Sequence, residues 1–320
     1  MSIIMFFLIL SKNLDIMPFI RKENMERPNI HFYGVASAPN RSPENPLRVV
    51  ILTSIRDVGH EDRNGLVVST RNGSRYMEGS TEALVRATSP GGRLHGLIEL
   101  AGVITDDMPR NLGNSDYPVL PTEGRAWIHP YDMATPEGVL VRDMTTNIES
   151  NFRGPKGEHS VAETVLRKRI FEGNVLDQMR QAGGDFILSD HYMAQIDHLY
   201  DWLPGRVLNI HPAVTMKEHP FRFVGRTPTA DAIAYAVAHE YAWTGATLHH
   251  VGPVIDEGPI LAFSTATRVY PDDQPQWLRH RNYVTKNSVL IEGLAHYVEN
   301  VYRHVDYVDR NNYMPVSGPR

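Results

Sequence analysis

Asn209 and His211 lie two residues apart in the stretch VLNIHPAV, which runs from Val207 to Val214. The apolar residues before Asn209 are typical of a strand, and Pro212 is typical of the turn that ends one. An amide and an imidazole at the end of an apolar strand can be directed into one pocket. The Asn-x-His pattern alone does not distinguish such a site from an ordinary strand end.

A second stretch, GATLHHVGPVIDEGPIL, carries His249 and His250 on a strand and Asp256 in the loop that follows. An acidic residue just before Gly-Pro is often only a turn former. However, a His and an Asp on neighbouring strand ends can pair. The carboxylate then raises the imidazole pKa and fixes its tautomer. Asp256 is therefore a candidate partner for a catalytic His.

The elements around these residues alternate between strand and helix, which predicts an α/β fold with a mostly parallel twisted sheet flanked by helices. Ligands in such folds bind beyond the carboxyl ends of the strands, where Asn209 and His211 are expected. Apolar runs predict strands over 47–55, 96–107, 185–193, 205–212, 245–251 and 258–269. Helical spacing predicts helices over 77–88, 160–184, 229–241 and 287–305.

The composition excludes several classes of protein. The 320 residues contain no Cys, which excludes disulfides, thiolate metal sites and Cys nucleophiles and is compatible with the cytoplasm, the location we predict. The net charge of −5 argues against general nucleic-acid binding. His191, His219 and His250 lack the spacing of a helix-borne zinc pair, so we predict no metal.

Three segments are predicted along the chain, the second of which contains an insertion. Residues 1–46 are expected to be a flexible N-terminal extension, and residues 47–310 a single α/β domain. Residues 108–158 contain no long periodic segment and are interpreted as an insertion. It could be a lid, a substrate-specific insert or an oligomer contact. Residues 311–320 are expected to be a C-terminal tail.

The most apolar segment, Met1–Leu10, is too short to span a bilayer as a helix. It lacks the basic start and small-residue cleavage site of a signal peptide. We interpret it as a disordered tail, or as residues upstream of a start at Met17 or Met25, with targeting as the alternative. No membrane association is predicted.

The two stretches, together with GGDFILSDHYM further upstream, resemble the folate-dependent formyltransferase family, and within it the phosphoribosylglycinamide formyltransferases. The resemblance extends from about Glu172 to Thr267. It implies a Rossmann-like fold and transfer of a formyl group from 10-formyltetrahydrofolate, as co-substrate, to a primary amine. No metal is implied.

The resemblance also implies roles for individual residues. Asn209 matches the family's amide donor, which holds the tetrahedral oxyanion. His211 matches the catalytic His, which as imidazolium stabilises the oxyanion and donates a proton. Asp256 matches the Asp that keeps this His charged and helps to move the proton. The position of His249 is often His in the family, and we expect a structural role for it.

Binding residues are predicted for both substrates. Ser54, Arg56 and Gly225 are the expected acceptor-binding residues. The folate pocket is expected to be read mainly by backbone groups. The residues predicted to line it are Tyr192, Met193, Ala194, Gln195, Ile196, Val251, Gly252, Val254 and Ile255.

The parts of the sequence that are expected to bind the acceptor amine depart from the family pattern. Of the family's Gly-rich phosphate loop, only Ser54 and Gly59 are present in TSIRDVGH, where Arg56 either binds phosphate as a charged fork or is solvated. Extra residues also fall within Lys217–Pro228. The favoured acceptor is nevertheless glycinamide ribonucleotide, for purine biosynthesis, or a related phosphorylated amine.

Other functions stay open at this point. Within the family, the acceptor could be an amino sugar nucleotide, methionyl-tRNA, or water in a formyl-folate hydrolase. Outside it, the chain could be a folate-binding protein without catalysis. The expected partners are a small-molecule amine and folate, with no nucleic acid and no membrane. A homo-oligomer is compatible with the sequence.

Overall fold

The computed structural model describes residues 28–33, 46–53, 67–70, 73–106, 133–152, 159–190, 195–225 and 227–301. Its strands are β1 (His31–Phe32), β2 (Leu47–Thr53), β3 (Val67–Thr70), β4 (Gly73–Tyr76), β5 (Ile98–Thr105), β6 (Thr145–Asn147), β7 (Phe186–Ser189), β8 (Val207–His211), β9 (Ala242–His250) and β10 (Ile260–Val269). Its α-helices are α1 (Ser80–Thr88), α2 (Val161–Gln181), α3 (Leu199–Trp202), α4 (Pro228–His239) and α5 (Pro275–His296).

Eight of the described strands form one sheet in the order β1-β10-β9-β8-β7-β2-β5-β6. The strands from β8 to β6 in this order are parallel, whereas β9, β10 and β1 pair in antiparallel fashion. Strands β3 and β4 form a separate antiparallel pair. The predicted α/β fold with a mostly parallel sheet is confirmed.

Helices cover both faces of the sheet, which explains why β2 is apolar from Val49 to Leu52. Val49 and Ile51 belong to a core cluster that includes residues of α1 and α5. Val50 and Leu52 point to the opposite face and belong to a cluster with residues of α2. The alternation of a strand thus divides one apolar run between two hydrophobic cores.

Helix α5 begins at Pro275 rather than at the predicted Asn287. Its first turns contain Leu278, Asn282 and Lys286, all of which are buried. Because the last two are polar, they interrupt the apolar spacing by which a helix is recognised in a sequence. Inside the protein, the Asn282 amide donates to the Pro212 and Gly245 carbonyl oxygens, and Lys286 pairs with Asp190.

Six short elements were not predicted, among them β3, β4 and α3. Strand β1 lies within the expected N-terminal extension, while a 3-10 turn at Val141–Met144 and strand β6 lie within the expected insertion. Each is too short to show periodicity, and pairing with β10 or β5 places the two strands in the main sheet. Residues 107–132 and 153–158 of the insertion, Met1–Leu10 and the predicted tail lie outside the described residues.

None of the helices in the described ranges combines the length and the apolar character needed to cross a membrane. The predicted helix over residues 160–184 is observed as α2, and the Ser160 hydroxyl accepts the Glu163 N–H at 3.2 Å at its first turn. This side-chain cap satisfies one of the N–H groups that a helix leaves without a partner at its start.

The turn between β9 and β10 requires glycine at position 258. A Cβ atom added to Gly258 would lie 1.7 Å from the His250 carbonyl oxygen. We therefore expect Gly258→Ala to lower the free energy of unfolding by about 1–3 kcal/mol or more, measured by urea denaturation. The matched control is Gly173→Ala in α2, where an added Cβ meets nothing within 4 Å.

The control should raise the free energy of unfolding by about 0.5–1 kcal/mol, because alanine favours helix over glycine. Equal stability of the Gly258→Ala protein and the unaltered protein would contradict the close approach.

Candidate active site

The ends of β8 and β9 bring the predicted catalytic residues together at one edge of the sheet. In the antiparallel pairing of these strands, Asn209 lies opposite His249 and His211 lies opposite Thr247. On its other side, Asn209 lies opposite Ser189 at the carboxyl end of the parallel strand β7. The site is therefore at the position where α/β folds bind ligands.

The Asn209 amide is oriented by His249. The His249 Nδ1 atom lies 2.8 Å from the His250 carbonyl oxygen, so it carries the hydrogen of the neutral imidazole. The Nε2 atom of His249 then accepts a hydrogen bond from Asn209 Nδ2 at 3.1 Å. Because a primary amide has two N–H groups, this bond leaves a second N–H of Asn209 as a donor.

The tautomer of His211 follows in the same way. Its Nε2 atom lies 3.0 Å from the Phe223 carbonyl oxygen and therefore carries the hydrogen. The other ring nitrogen, Nδ1, lies 3.5 Å from Asp256 Oδ1. In the neutral form, Nδ1 is thus the basic atom, and a proton added to it would face the Asp256 carboxylate.

Asp256 lies between the two imidazoles, since its Oδ1 atom is also 3.8 Å from His249 Nε2. Its side chain is 9% exposed, and its other oxygen accepts the Gly225 N–H at 2.8 Å. Asp256 adopts a positive φ of 56°, a conformation that Asp tolerates better than most residues. Gly225, predicted to bind the acceptor, here contacts the carboxylate through its backbone.

Burial and charge oppose each other at His211. Burial lowers the pKa of His211, and the Asp256 carboxylate and the Phe223 carbonyl raise it by less. Burial likewise lowers the pKa of His249, against the effect of Asp256. The neutral imidazole is therefore the resting form of His211, whereas the sequence led us to expect the imidazolium.

The predicted folate-lining residues divide into buried and exposed groups. Ile196 is 4% exposed and packs in a hydrophobic core, with Val251 partly buried against it. Gln195 is exposed, as are Val254 and Ile255 at 55% and 52%. Gly252 is buried. The predicted residues that lie outside the described part of the chain are Ser54, Arg56, Tyr192, Met193 and Ala194.

Glu172 holds residues 197–199, which directly follow Ile196. It was not identified as a site residue from the sequence. Its buried carboxylate accepts the backbone N–H groups of Asp197, His198 and Leu199 at 2.9, 2.7 and 2.8 Å. The signal in the sequence is an acidic residue beside Phe171, on the buried face of a helix. Such a residue needs donors, but the sequence does not show which ones.

The loop from Lys217 to Gly225, where the sequence has extra residues, is fixed to the turn that carries Asp256. Lys217 and Arg222 pair with Glu257 at 2.8 and 3.0 Å. Arg222 also donates from Nε to the Thr215 carbonyl oxygen at 3.0 Å. The loop is thus part of the site's wall rather than a distant insertion.

The part of the chain that carries this site is similar to known proteins. Residues 146–294 match the formyl transferase family. "Phosphoribosylglycinamide formyltransferase" of Mycobacterium tuberculosis strain H37Rv is 38% identical over 91 residues, which are 28% of this chain and 38% of that protein. "Formyltetrahydrofolate deformylase" of Corynebacterium sp. strain P-1 is 32% identical over 109 residues, which are 33% of this chain and 34% of that protein. The matches thus span little more than a third of these relatives.

A solved structure described as "PvdF of pyoverdin biosynthesis is a structurally unique N10-formyltetrahydrofolate-dependent formyltransferase" is similar over a longer range. It has a TM-score of 0.67 and 28% identity, covering 79% of this chain and 100% of that chain. The resemblance seen in the sequence is confirmed: residues 146–294 match the formyl transferase family, and a stretch of 91 residues is similar to phosphoribosylglycinamide formyltransferase.

His250, next to the site, should make stability depend on pH. Burial, followed by the neighbouring His249, lowers the pKa of His250 from 6.5 to about 4. Between these two values, the unfolded chain binds a proton that the folded protein does not. Stability should therefore fall as the pH drops through this window, by about 1.4 kcal/mol per pH unit for this group.

We expect His250→Gln to make this pH dependence shallower by about one proton, measured by urea denaturation between about pH 4 and about pH 6.5. His211 and His249 contribute to the slope in both proteins, so the difference between the two slopes isolates His250. Identical slopes would show that His250 is not buried as a neutral imidazole.

Proposed function

We propose that the protein is a folate-dependent formyltransferase, an enzyme that moves a one-carbon group from 10-formyltetrahydrofolate to a primary amine. The observation that supports this most directly is the contact of Asp256 with both His211 and His249, beside Asn209, within a formyl transferase domain. The reaction needs a hydrogen-bond donor that stabilises the oxyanion, and a group that accepts a proton and later returns it. These residues supply both.

The proposed steps use the atoms described above. The amine nitrogen attacks the formyl carbon, and the second N–H of Asn209 donates to the oxyanion that forms. His211 accepts the proton of the amine at Nδ1, where the Asp256 carboxylate stabilises the imidazolium. The bond from the formyl carbon to folate N10 then breaks, and His211 returns the proton to that nitrogen. No covalent enzyme intermediate is required.

The folate donor is assigned to the surface between the segment at Gln195 and the turn from Val251 to Ile255. The exposed side chains of Val254 and Ile255 give this turn an apolar surface for a flat ring system. The burial of Ile196 in the core leaves backbone groups there to read the pteridine edge. Three further predicted contacts, Tyr192, Met193 and Ala194, belong to the same proposal.

Glycinamide ribonucleotide is the first acceptor we propose, with Ser54, Arg56 and Gly225 as its binding residues. The phosphoribosylglycinamide formyltransferase match supports it. Purine biosynthesis in the cytoplasm is the setting it implies.

A second candidate is a different small amine. It is supported by the longer match to PvdF of pyoverdin biosynthesis and by the Lys217–Gly225 loop, which forms part of the wall. Water, as in the deformylase relative, is the third.

The catalytic assignment predicts the effect of removing one charge. Asp256→Asn keeps the shape of the side chain and an oxygen that can accept the Gly225 N–H, but it cannot stabilise the imidazolium. We expect turnover to fall by at least about 100-fold. The control is Asp231→Asn, which removes an exposed carboxylate in the first turn of α4. Turnover of both variants is measured with 10-formyl-5,8-dideazafolate as the formyl donor.

Both variants should unfold at the same urea concentration as the unaltered protein, because neither removes an apolar core contact. Turnover within about threefold of normal in Asp256→Asn would overturn the mechanism, since general acid-base catalysis contributes about 100-fold or more. His211→Asn should show a loss as large as that of Asp256→Asn, because the two side chains act as one unit.

The acceptor can be identified by measuring release of the deformylated folate analogue with and without an added amine. Release that depends on glycinamide ribonucleotide would support the first candidate, and we expect this result. Release that depends only on other amines would support the second, while release without any amine would support hydrolysis. Binding of the analogue without release under any of these conditions would indicate a folate-binding protein.

A further inference from the structure

Arg222 joins the segment that follows His211 to the turn that carries Asp256. Its Nε atom donates to the Thr215 carbonyl oxygen at 3.0 Å, and its Nη2 atom donates to Glu257 Oε1 at 3.0 Å. Thr215 belongs to the segment after His211, and Glu257 directly follows Asp256. A guanidinium can make both contacts because its N–H groups point in fixed directions within one plane. One side chain thus holds two backbone segments of the candidate site against each other.

The backbone around Arg222 is paired with the same segment after His211. Arg222 lies opposite Val214 in a parallel β-bridge, and the Phe223 N–H donates to the Val214 carbonyl oxygen at 3.1 Å. The Phe223 side chain is buried in a hydrophobic cluster that includes Ala213. With the loop in this position, the Phe223 carbonyl oxygen lies 3.0 Å from His211 Nε2. The hydrogen-bond partner of the catalytic ring is therefore a backbone group of the Lys217–Gly225 loop.

Two acceptors compete for the single ring hydrogen of neutral His211. The Phe223 carbonyl oxygen faces Nε2, whereas the Asp256 carboxylate lies 3.5 Å from Nδ1. A hydrogen bond to a carboxylate is normally the stronger kind, and the partner of each ring nitrogen decides which one carries the hydrogen. Loss of the Phe223 contact would therefore move the hydrogen to Nδ1. In the proposed mechanism, Nδ1 needs a free electron pair to accept the proton of the amine.

The contacts of Arg222 bear on this competition because Arg222 directly precedes Phe223. We propose that Arg222 is a positioning residue that keeps the Phe223 carbonyl on His211 Nε2, so that Nδ1 of the resting ring can accept a proton. This inference rests on the proposed function, in which His211 is the base. The Arg222 and Glu257 side chains are 27% and 26% exposed, and such ion pairs contribute little to stability. Variants at Arg222 are therefore expected to fold.

The tautomer of His211 can be measured by NMR on protein whose histidine rings are isotopically labelled at nitrogen. Two-bond correlation spectra distinguish a ring nitrogen that carries hydrogen from one that does not, and the signals missing in His211→Asn assign the ring. At a pH where the ring is neutral, the unaltered protein should show hydrogen on Nε2. In Arg222→Met, the signals should move towards the form with hydrogen on Nδ1, because the loop no longer holds the Phe223 carbonyl in place.

Two matched variants separate the geometry of the guanidinium from its charge. Lys217→Met removes a second cation that pairs with Glu257 but keeps the contact of Arg222 with Thr215, so the His211 tautomer should not change. Arg222→Lys keeps a cation but lacks the two donors in fixed directions, and it should behave like Arg222→Met. Hydrogen retained on Nε2 in both Arg222 variants would show that packing of Phe223 alone holds the loop, and this result would overturn the proposal.

Turnover provides a second readout. Arg222→Met should lower kcat by about 10-fold to about 100-fold, the loss that a misplaced catalytic group produces, while KM for the formyl donor stays within about threefold. The donor KM should hold because the folate surface proposed above does not include this loop. The NMR measurement does not need turnover. A changed tautomer in a protein without formyl transfer would reject the proposed function alone, while an unchanged tautomer would reject the role of Arg222.

Discussion

The site depends on a carboxylate that is nearly enclosed by the protein. Asp256 receives the Gly225 N–H on one oxygen and faces His211 and His249 with the other. These contacts join two strands and the loop after β8 around a single negative charge. The turn can hold the carboxylate there only because Gly258 lets the backbone pass against the His250 carbonyl. The position of the carboxylate in the candidate site therefore follows from one short turn.

Burial, rather than charge pairing, sets the resting state of this cluster. A carboxylate beside an imidazole normally favours the imidazolium, yet desolvation lowers the pKa of His211 more than Asp256 raises it. The His211 ring is therefore neutral at rest, and the Asp256 carboxylate already lies beside the nitrogen that would receive a proton. This arrangement suits a reaction in which the same group must accept a proton and then release it.

The elements that could be predicted from the sequence are those with a recognisable hydrophobic pattern within one short stretch of the chain. The apolar run of β2 and the periodic pattern of α2 identified them directly, whereas the start of α5 was missed because Asn282 and Lys286 are polar and buried. Asn209, His211 and Asp256 were found through the resemblance, and the structure brings them together. The contacts of His249 depend on strand pairing, which no local pattern reveals.

The loop after β8 is attached to the candidate site at the Asp256–Glu257 dipeptide. Asp256 contacts the two imidazoles, while the adjacent Glu257 holds Lys217 and Arg222 of the loop that has extra residues here. The Lys217 contact, followed by the influence of Arg222, lowers the pKa of Glu257 and keeps it ionised for this purpose. Because Lys217 and Arg222 hold Glu257 while the Gly225 N–H binds Asp256, the loop and the turn fix each other's positions.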